Sequence, residues 1–129
     1  MVRPDGAILG IGTISHFIIG ASLNQHVKKS GRTTGLTHSH ISGLNATVRV
    51  TLTRECHGGT YTKTFTGQIA VANPANGFLM AGDSGSLLVQ DVATNPRPIG
   101  LLYAGNNNVA FANPIGQVLN FLGATMVGN

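Results

Sequence analysis

Two long runs of alternating residues constrain the fold of this chain more than any other feature. Residues 41–53 alternate valine and leucine with threonine and arginine, and residues 60–72 carry threonine at every second position up to Thr66. A period of two is that of a β-strand, whose successive side chains point to opposite faces. The intervening segment ends in Gly58-Gly59, which favours a tight turn. The sequence therefore predicts a long β-hairpin.

Four shorter β-rich segments and one helical segment complete the predicted elements. The short strands are expected at residues 25–30, 86–90, 99–104 and 109–112. After them, Asn113 is a suitable helix cap and Pro114 a suitable first helical residue. Helical spacing and a stop signal follow in Ile115, Val118, Leu119, Leu122 and Gly123. Six strands closed by a helix indicate an all-β domain, either a small antiparallel barrel or a sandwich.

Composition favours a single packed domain. Among 129 residues, 42% are hydrophobic and 9% are charged, a balance that disfavours disorder. The net charge of +4 assists binding to an acidic partner without requiring one. Cys56 is the one cysteine, so no internal disulfide is expected and the compartment stays open.

The first 24 residues are predicted to form an irregular apolar arm. Residues 7–23 are apolar enough to raise the question of a signal peptide, with Arg3 as its basic region. Asp5 and several glycine and hydroxyl residues interrupt the run. Its uninterrupted apolar stretches are also too short for a transmembrane helix. A strand-and-loop lead-in is therefore expected, and no membrane partner.

The densest basic segment is Lys28-Lys29-Ser30-Gly31-Arg32. Basic patches of nucleic-acid-binding proteins are commonly interleaved with aromatic residues, and this segment has none. It is interpreted as a solvated strand end, so no nucleic-acid partner is predicted.

The sharpest chemical motif is Gly82-Asp83-Ser84-Gly85-Ser86. A hydrolytic serine needs an exposed hydroxyl on a tight turn beside converging backbone N–H groups, and flanking glycines permit such a turn. An ordinary polar turn is the alternative. The nucleophile elbow between a strand and a helix fits poorly, because Ser86 replaces its last glycine and a strand follows.

A second motif, Ser30-Gly31-Arg32-Thr33-Thr34-Gly35, precedes the first by about 50 residues. Together with residues 99–105 and the closing helix, the two motifs resemble the second barrel of chymotrypsin-like serine proteases, in particular the bacterial branch related to streptogrisin and α-lytic protease. The resemblance implies that residues 25–129 are the C-terminal six-stranded antiparallel barrel of such a protease. Residues 1–24 are then an arm or an inter-barrel linker.

The resemblance also implies roles for individual residues. Ser84 corresponds to the nucleophile, and the N–H groups of Gly82 and Ser84 correspond to the oxyanion hole. Asp83 is expected to form a buried ion pair with Arg32 that holds the loop in shape, so Arg32→Ala should collapse the loop and Lys28→Ala should do little.

A substrate groove is implied by the same resemblance. The strand segment Leu102-Tyr103-Ala104-Gly105 is expected to bind an extended peptide or protein substrate by strand addition. Phe78 and Leu79 are expected at the base of the primary pocket, which predicts a preference for an apolar or small side chain. Tyr103 stands where a small serine is usual and is expected to narrow the pocket.

The histidine and aspartate of the catalytic triad are not identifiable, because this family supplies them from a first barrel. We therefore expect either a missing N-terminal barrel or a homo-oligomer partner, and a non-catalytic half-barrel that binds a peptide or protein is the alternative. His38 and His40 share one strand face and are weaker candidates for a base or a metal pair. Cys56 beside His57 is a weak candidate for a cysteine dyad. No cofactor and no metal are predicted.

Overall fold

Six antiparallel strands form the body of the fold in a computed structural model that describes residues 7–53, 58–126 and 128. A two-stranded hairpin precedes the sheet and an eight-residue helix follows it. The elements are β1 (Ala7–Ile8), β2 (Gly12–Thr13), β3 (His26–Gly31), β4 (Gly35–Thr53), β5 (Thr60–Ala72), a 3-10 turn (Pro74–Asn76), β6 (Leu87–Gln90), β7 (Pro98–Gly105), β8 (Val109–Pro114) and α1 (Ile115–Leu122).

The strands pair in the order β3-β4-β5-β8-β7-β6, and β6 also pairs with β3. The predicted all-β class, with one six-stranded antiparallel sheet and a short C-terminal helix, is confirmed. The long hairpin is present, with Thr53 opposite Thr60 at its last described pair. Its tip, residues 54–57, lies outside the described residues.

The helix begins one residue later than the sequence predicts. Asn113 pairs with Leu101 inside β8, and Pro114 occupies the cap position instead of the first helical position. Gly123 ends the helix in a left-handed conformation with φ 63°, as the stop signal indicates. No helix among the described residues has the length and apolar character needed to cross a membrane.

Two groups of buried apolar side chains form the core. The larger lies among the strands and includes Val27, Ile41, Val71, Leu88 and Leu102, none of which is exposed to solvent. The smaller joins the N-terminal arm to β6 and the helix and consists of Ile8, Ile14, Leu87, Val89 and Ile115. The arm therefore packs on the sheet through its own isoleucines.

Backbone hydrogen bonds fix the arm along the connection between β6 and β7. The Ser15 N–H donates to the Pro96 carbonyl at 3.0 Å, and the Ile19 N–H donates to the Pro98 carbonyl at 2.9 Å. The Arg97 guanidinium returns a hydrogen bond of 2.7 Å to the Ile18 carbonyl.

Candidate active site

A sharp turn before β6 presents Ser84 to solvent. Gly82 and Gly85 on either side of Asp83-Ser84 have φ of 97° and 91°, a region that side chains rarely tolerate. The turn is closed by two backbone bonds, from the Asp83 N–H to the Met80 carbonyl at 3.0 Å and from the Ser86 N–H to the Asp83 carbonyl at 3.1 Å. Glycine at both ends is thus required by the backbone path.

The Ser84 hydroxyl lies against the seventh strand. Its Oγ donates a hydrogen bond of 3.3 Å to the carbonyl of Tyr103 in β7. The backbone N–H groups of Gly82 and Ser84 have no acceptor within the described part of the chain. The turn therefore combines an exposed hydroxyl with two donors that are not used internally.

The carboxylate of Asp83 is buried beneath this turn and saturated with hydrogen bonds. Its Oδ1 accepts from the N–H groups of Thr33 and Thr34 at 2.8 and 3.1 Å. Its Oδ2 accepts from the Thr34 hydroxyl at 2.6 Å and the Met80 N–H at 3.0 Å. Burial alone would raise the pKa of Asp83, but these hydrogen bonds from Thr34, Met80 and Thr33 lower that pKa to about 2.

Lys29 is the cation that accompanies Asp83. Its Nζ lies 3.8 Å from Asp83 Oδ2, and neither side chain is accessible to solvent. The ammonium also donates to the Thr34 hydroxyl and to the Gly35 carbonyl, the latter at 2.9 Å, and lies 5.6 Å from the centre of the Phe78 ring. Burial lowers the pKa of Lys29, and the neighbouring Asp83 offsets part of that effect.

This arrangement corrects the predicted ion pair between Arg32 and Asp83. Arg32 lies past the end of β3, in the turn before β4, where its side chain is exposed and forms no ion pair within the described residues. Lys28 and Lys29 are buried instead, at 9% and 0% exposure, and Lys28 Nζ donates to the Val92 carbonyl at 2.9 Å. The basic segment is therefore not a solvated strand end.

A pocket of about 260 Å³ opens beside Ser84. Leu79, Ala104 and Gly105 of the predicted groove line it together with Ser84, and the remaining lining residues are Asn76, Met80 and Ala81. Its walls carry no charged side chain.

Three other predicted groove residues lie elsewhere. Phe78 and Leu102 are 1% and 0% exposed and belong to the core between the strands, so they do not line the pocket. The Tyr103 ring packs against Phe65 at 5.7 Å between centroids and does not line the pocket either, so it does not narrow it. Burial raises the pKa of the Tyr103 hydroxyl, which has no hydrogen-bond partner among the described residues.

A wider cleft of about 770 Å³ lies next to the turn. Ser84 borders this cleft as well as the smaller pocket, and the 80% exposed side chain of Leu9 stands at its edge. Its other walls come from the end of β3, from the residue after it and from the Ser84 turn, namely Ser30, Gly31, Arg32, Gly82, Gly85 and Ser86.

Asn73 is a buried polar residue with a structural role that was not predicted from the sequence. It is fully buried, and its Oδ1 accepts from the N–H groups of Phe78 and Leu79 at 2.9 and 2.8 Å. Its Nδ2 donates to the carbonyls of Leu79 and Asn106 at 3.0 and 2.7 Å. Asn73 therefore connects residues 78–79, of which Leu79 lines the pocket beside Ser84, to the turn after β7. In the sequence, the position of Asn73 directly before Pro74 was the available indication of this role.

The histidines that were considered as bases do not contact Ser84. His38 Nδ1 instead lies 2.9 Å from Asp91 Oδ2 on the surface, and His40 is exposed on β4. Within the described ranges, no group of three histidine, cysteine or acidic side chains is placed to hold a metal ion. The proposed dyad of Cys56 and His57 lies outside the described residues.

The sequence matches a known family over most of its length. Residues 3–113 fit the model of the Nal1 C-terminal domain. The chain belongs to this family. A sequence search of curated proteins finds no match to this chain.

Solved structures of serine proteases share the fold of this chain. Thermobifida fusca protease A matches with a TM-score of 0.67 and 25% identity over 96% of this chain, and Cellulomonas bogoriensis chymotrypsin with 0.61 and 25% over 92%. A homologue of α-lytic protease matches with 0.54 and 19% identity over 84%. The chymotrypsin-like fold expected from the resemblance is thereby supported, whereas the family match does not itself assign a bacterial protease branch.

This chain corresponds to part of these enzymes. It spans 60% of the Thermobifida protease and 57% of the Cellulomonas chymotrypsin. These proportions agree with one half of a chymotrypsin-like fold.

Proposed function

We propose that this chain is the nucleophile-bearing half of a trypsin-like serine endopeptidase, with Ser84 as the nucleophile. The observation that carries the proposal is the exposed Ser84 hydroxyl beside two unused backbone donors, on a turn held by a buried carboxylate. Acyl transfer needs such a hydroxyl and such donors in one place.

In this proposal the N–H groups of Gly82 and Ser84 form the oxyanion hole. A peptide carbonyl attacked by Ser84 Oγ develops negative charge on its oxygen, and preorganised N–H groups stabilise that charge in the transition state. Loss of one such donor in a hydrolase costs about 10²–10³ in rate. The positive φ of Gly82 sets the direction of the backbone at this point. Any side chain at this position would strain that conformation.

The substrate is proposed to be a peptide or protein with a small or apolar side chain next to the scissile bond. The uncharged pocket beside Ser84 suits such a side chain. Ala104 and Gly105 pair with β8 on one side, while β6 pairs with β7 only as far as Leu101. The free side of this segment can accept an extended peptide by strand addition.

The general base and its aspartate are proposed to come from outside these 129 residues, either from a first barrel or from a partner chain. Within the described residues, Ser84 Oγ donates a hydrogen bond to the Tyr103 carbonyl and forms none with a histidine. A serine without a base retains only the rate that the oxyanion hole and binding provide.

A fluorophosphonate probe tests the proposal on the purified chain. We expect slow labelling that disappears in Ser84→Ala and persists in Ser22→Ala, a variant of another exposed serine. Mass spectrometry of the labelled peptide identifies the modified residue. Labelling that survives in Ser84→Ala contradicts Ser84 as the nucleophile. No labelling of the folded wild-type chain means that Ser84 is inactive without a base from outside the chain, or that the chain is a binding module.

A non-catalytic half-barrel that binds a protein partner is the second candidate. Phe121 and Leu122 on the helix are 90% and 65% exposed, an arrangement that favours a protein contact at this end of the molecule. Sedimentation analysis of the wild-type chain and of Phe121→Ser separates the candidates when combined with the probe. Association lost in Phe121→Ser, without Ser84 labelling, favours the binding function.

A further inference from the structure

Arg32 is an exposed cation beside the turn that presents Ser84. It lines the wider cleft of about 770 Å³, and a Cβ added at Gly82 would lie 3.6 Å from Arg32 Nη2. Because Lys29 already accompanies Asp83, the guanidinium has no charge to neutralise within the described residues. It can therefore pair with an anion from outside the chain, and guanidinium groups pair well with carboxylates.

Two backbone donors lie in the same cleft. Gly82 and Ser84 are exposed residues of its lining, and their N–H groups have no acceptor within the described part of the chain. Backbone N–H groups that are left free on a turn bind anions. No acidic side chain lines the cleft, and the two acidic residues that the structure describes, Asp83 and Asp91, each face a basic side chain elsewhere. The cleft thus offers a positive charge and two donors without a competing carboxylate.

The smaller pocket indicates which carboxylate fits. It also borders Ser84, and Ala104 and Gly105 in its wall belong to the strand segment that has a free side. A peptide added to this strand, with its last side chain in the uncharged pocket, ends beside Ser84 and directs its terminal carboxylate toward the cleft. A peptide that continues past this point brings a neutral amide instead, which leaves the charge of Arg32 unused.

We propose that this surface binds the free C-terminus of a peptide or protein, whose terminal carboxylate is held by Arg32 and by the N–H groups of Gly82 and Ser84. The last residue of this ligand has a small or apolar side chain, which occupies the pocket. The inference rests on the same strand and pocket as the proposed function. It needs neither a catalytic base nor the Ser84 hydroxyl, because no bond is broken.

Two peptides that differ in a single group test the carboxylate requirement. A fluorescein-labelled alanine peptide ending in valine is prepared with a free C-terminal carboxylate and with a C-terminal amide, and its binding to the purified chain is followed by fluorescence anisotropy. The dissociation constant of the free acid is expected to be about tenfold lower than that of the amide, because hydrogen bonds to a charged group are the stronger ones. Added salt is expected to weaken binding of the acid and to leave that of the amide unchanged.

Two variants that remove the same charge locate the site. Arg32 and Lys63 are both exposed, on the turn before β4 and on β5. In Arg32→Gln the preference for the acid is expected to fall to about threefold or less, since only the two N–H groups remain. Lys63→Gln is expected to keep the full preference. Equal binding of acid and amide to the wild-type chain, or a full preference in Arg32→Gln, overturns the proposal.

A third peptide identifies the source of the carboxylate. It carries a glutamate after the valine and is capped as an amide, and it is expected to bind no better than the first amide. If it binds as tightly as the free acid, a side-chain carboxylate suffices and the assignment to a C-terminus is wrong. These results are independent of the nucleophile. An absence of fluorophosphonate labelling at Ser84 leaves the acid preference in place, and equal binding of acid and amide leaves the labelling in place.

Discussion

Lys29 Nζ and Asp83 Oδ2 face each other at 3.8 Å with no solvent access to either side chain. The pair connects the third strand to the turn that presents Ser84. Because each charge has lost its hydration, each depends on the other and on the Thr34 hydroxyl that contacts both.

Replacing Lys29 by methionine is expected to destabilise the chain strongly. The substitution leaves Asp83 buried without its cation, and breaking a buried pair in this way costs about 3–5 kcal/mol. Urea denaturation gives the change in the free energy of unfolding. Arg32→Met is the matched control, and since Arg32 is exposed its effect is expected within about 0.5 kcal/mol. A larger loss in Arg32→Met than in Lys29→Met would restore the pairing expected from the sequence.

Alanine at Gly31 is expected to displace the Asp83 carboxylate. A Cβ at this position would clash with Asp83 Oδ1 and approach Ser86 Oγ to 2.8 Å. Overpacking of this kind costs about 1–3 kcal/mol, measured by thermal or urea unfolding. Gly20→Ala is the control, because a Cβ there meets nothing within 4 Å. Equal stability of the two variants would argue that the carboxylate moves freely.

Acid is expected to weaken the fold through Asp83. The pKa of this carboxyl is about 2 in the folded chain and 3.8 when unperturbed, so the unfolded state binds the proton more readily. The stabilisation, about 2 kcal/mol, is complete above the unfolded pKa and is lost as the pH falls through 2. Unfolding free energies between pH 2 and 6 measure it. Asp83→Asn should remove this dependence, whereas Asp91→Asn should leave it in place.

Substitution of Asn73 by alanine is expected to loosen the wall of the Ser84 pocket. It leaves two N–H groups and two carbonyls without their partner, each costing about 1–3 kcal/mol if it stays buried. Faster hydrogen exchange at Phe78 and Leu79 and a lower midpoint of unfolding are the expected readouts. Asn107→Ala, at an exposed position in the turn after β7, serves as the control. If hydrogen exchange at Phe78 and Leu79 is unchanged in Asn73→Ala, water has taken over the hydrogen bonds of the missing side chain.

Local sequence patterns were sufficient to predict the six strands of the sheet and the helix after them, but not the two short strands β1 and β2 in the N-terminal arm, which was expected to be irregular. The alternation in residues 41–53 and 60–72 gave the hairpin, because a period of two depends only on local residue order. The start of the helix was misplaced by one residue, since Asn113 continues its ladder with β7 in preference to capping. Ladder pairing is a tertiary effect that local capping signals do not contain.

The partner of Asp83 could not be assigned from the motif alone. The resemblance implied that Arg32 is the ion-pair partner of Asp83. The geometry of the strand, however, determines which basic side chain points into the protein. Val27 and Lys29 are two residues apart on β3 and are both fully buried, so the alternation itself places Lys29 on the inner side. A lysine within a run of basic residues is usually solvated, and for this reason the burial of Lys29 was not predicted.

The hydrogen bonds from Thr33 and Thr34 to Asp83 join residues about 50 positions apart. Contacts of such sequence separation require closure of a long loop, which makes them slow to form relative to local hairpins. During folding, the turn bearing Ser84 is therefore expected to reach its final geometry only after the third and fourth strands have docked. Before that step, nothing is expected to hold the N–H groups of Gly82 and Ser84 beside the Ser84 hydroxyl.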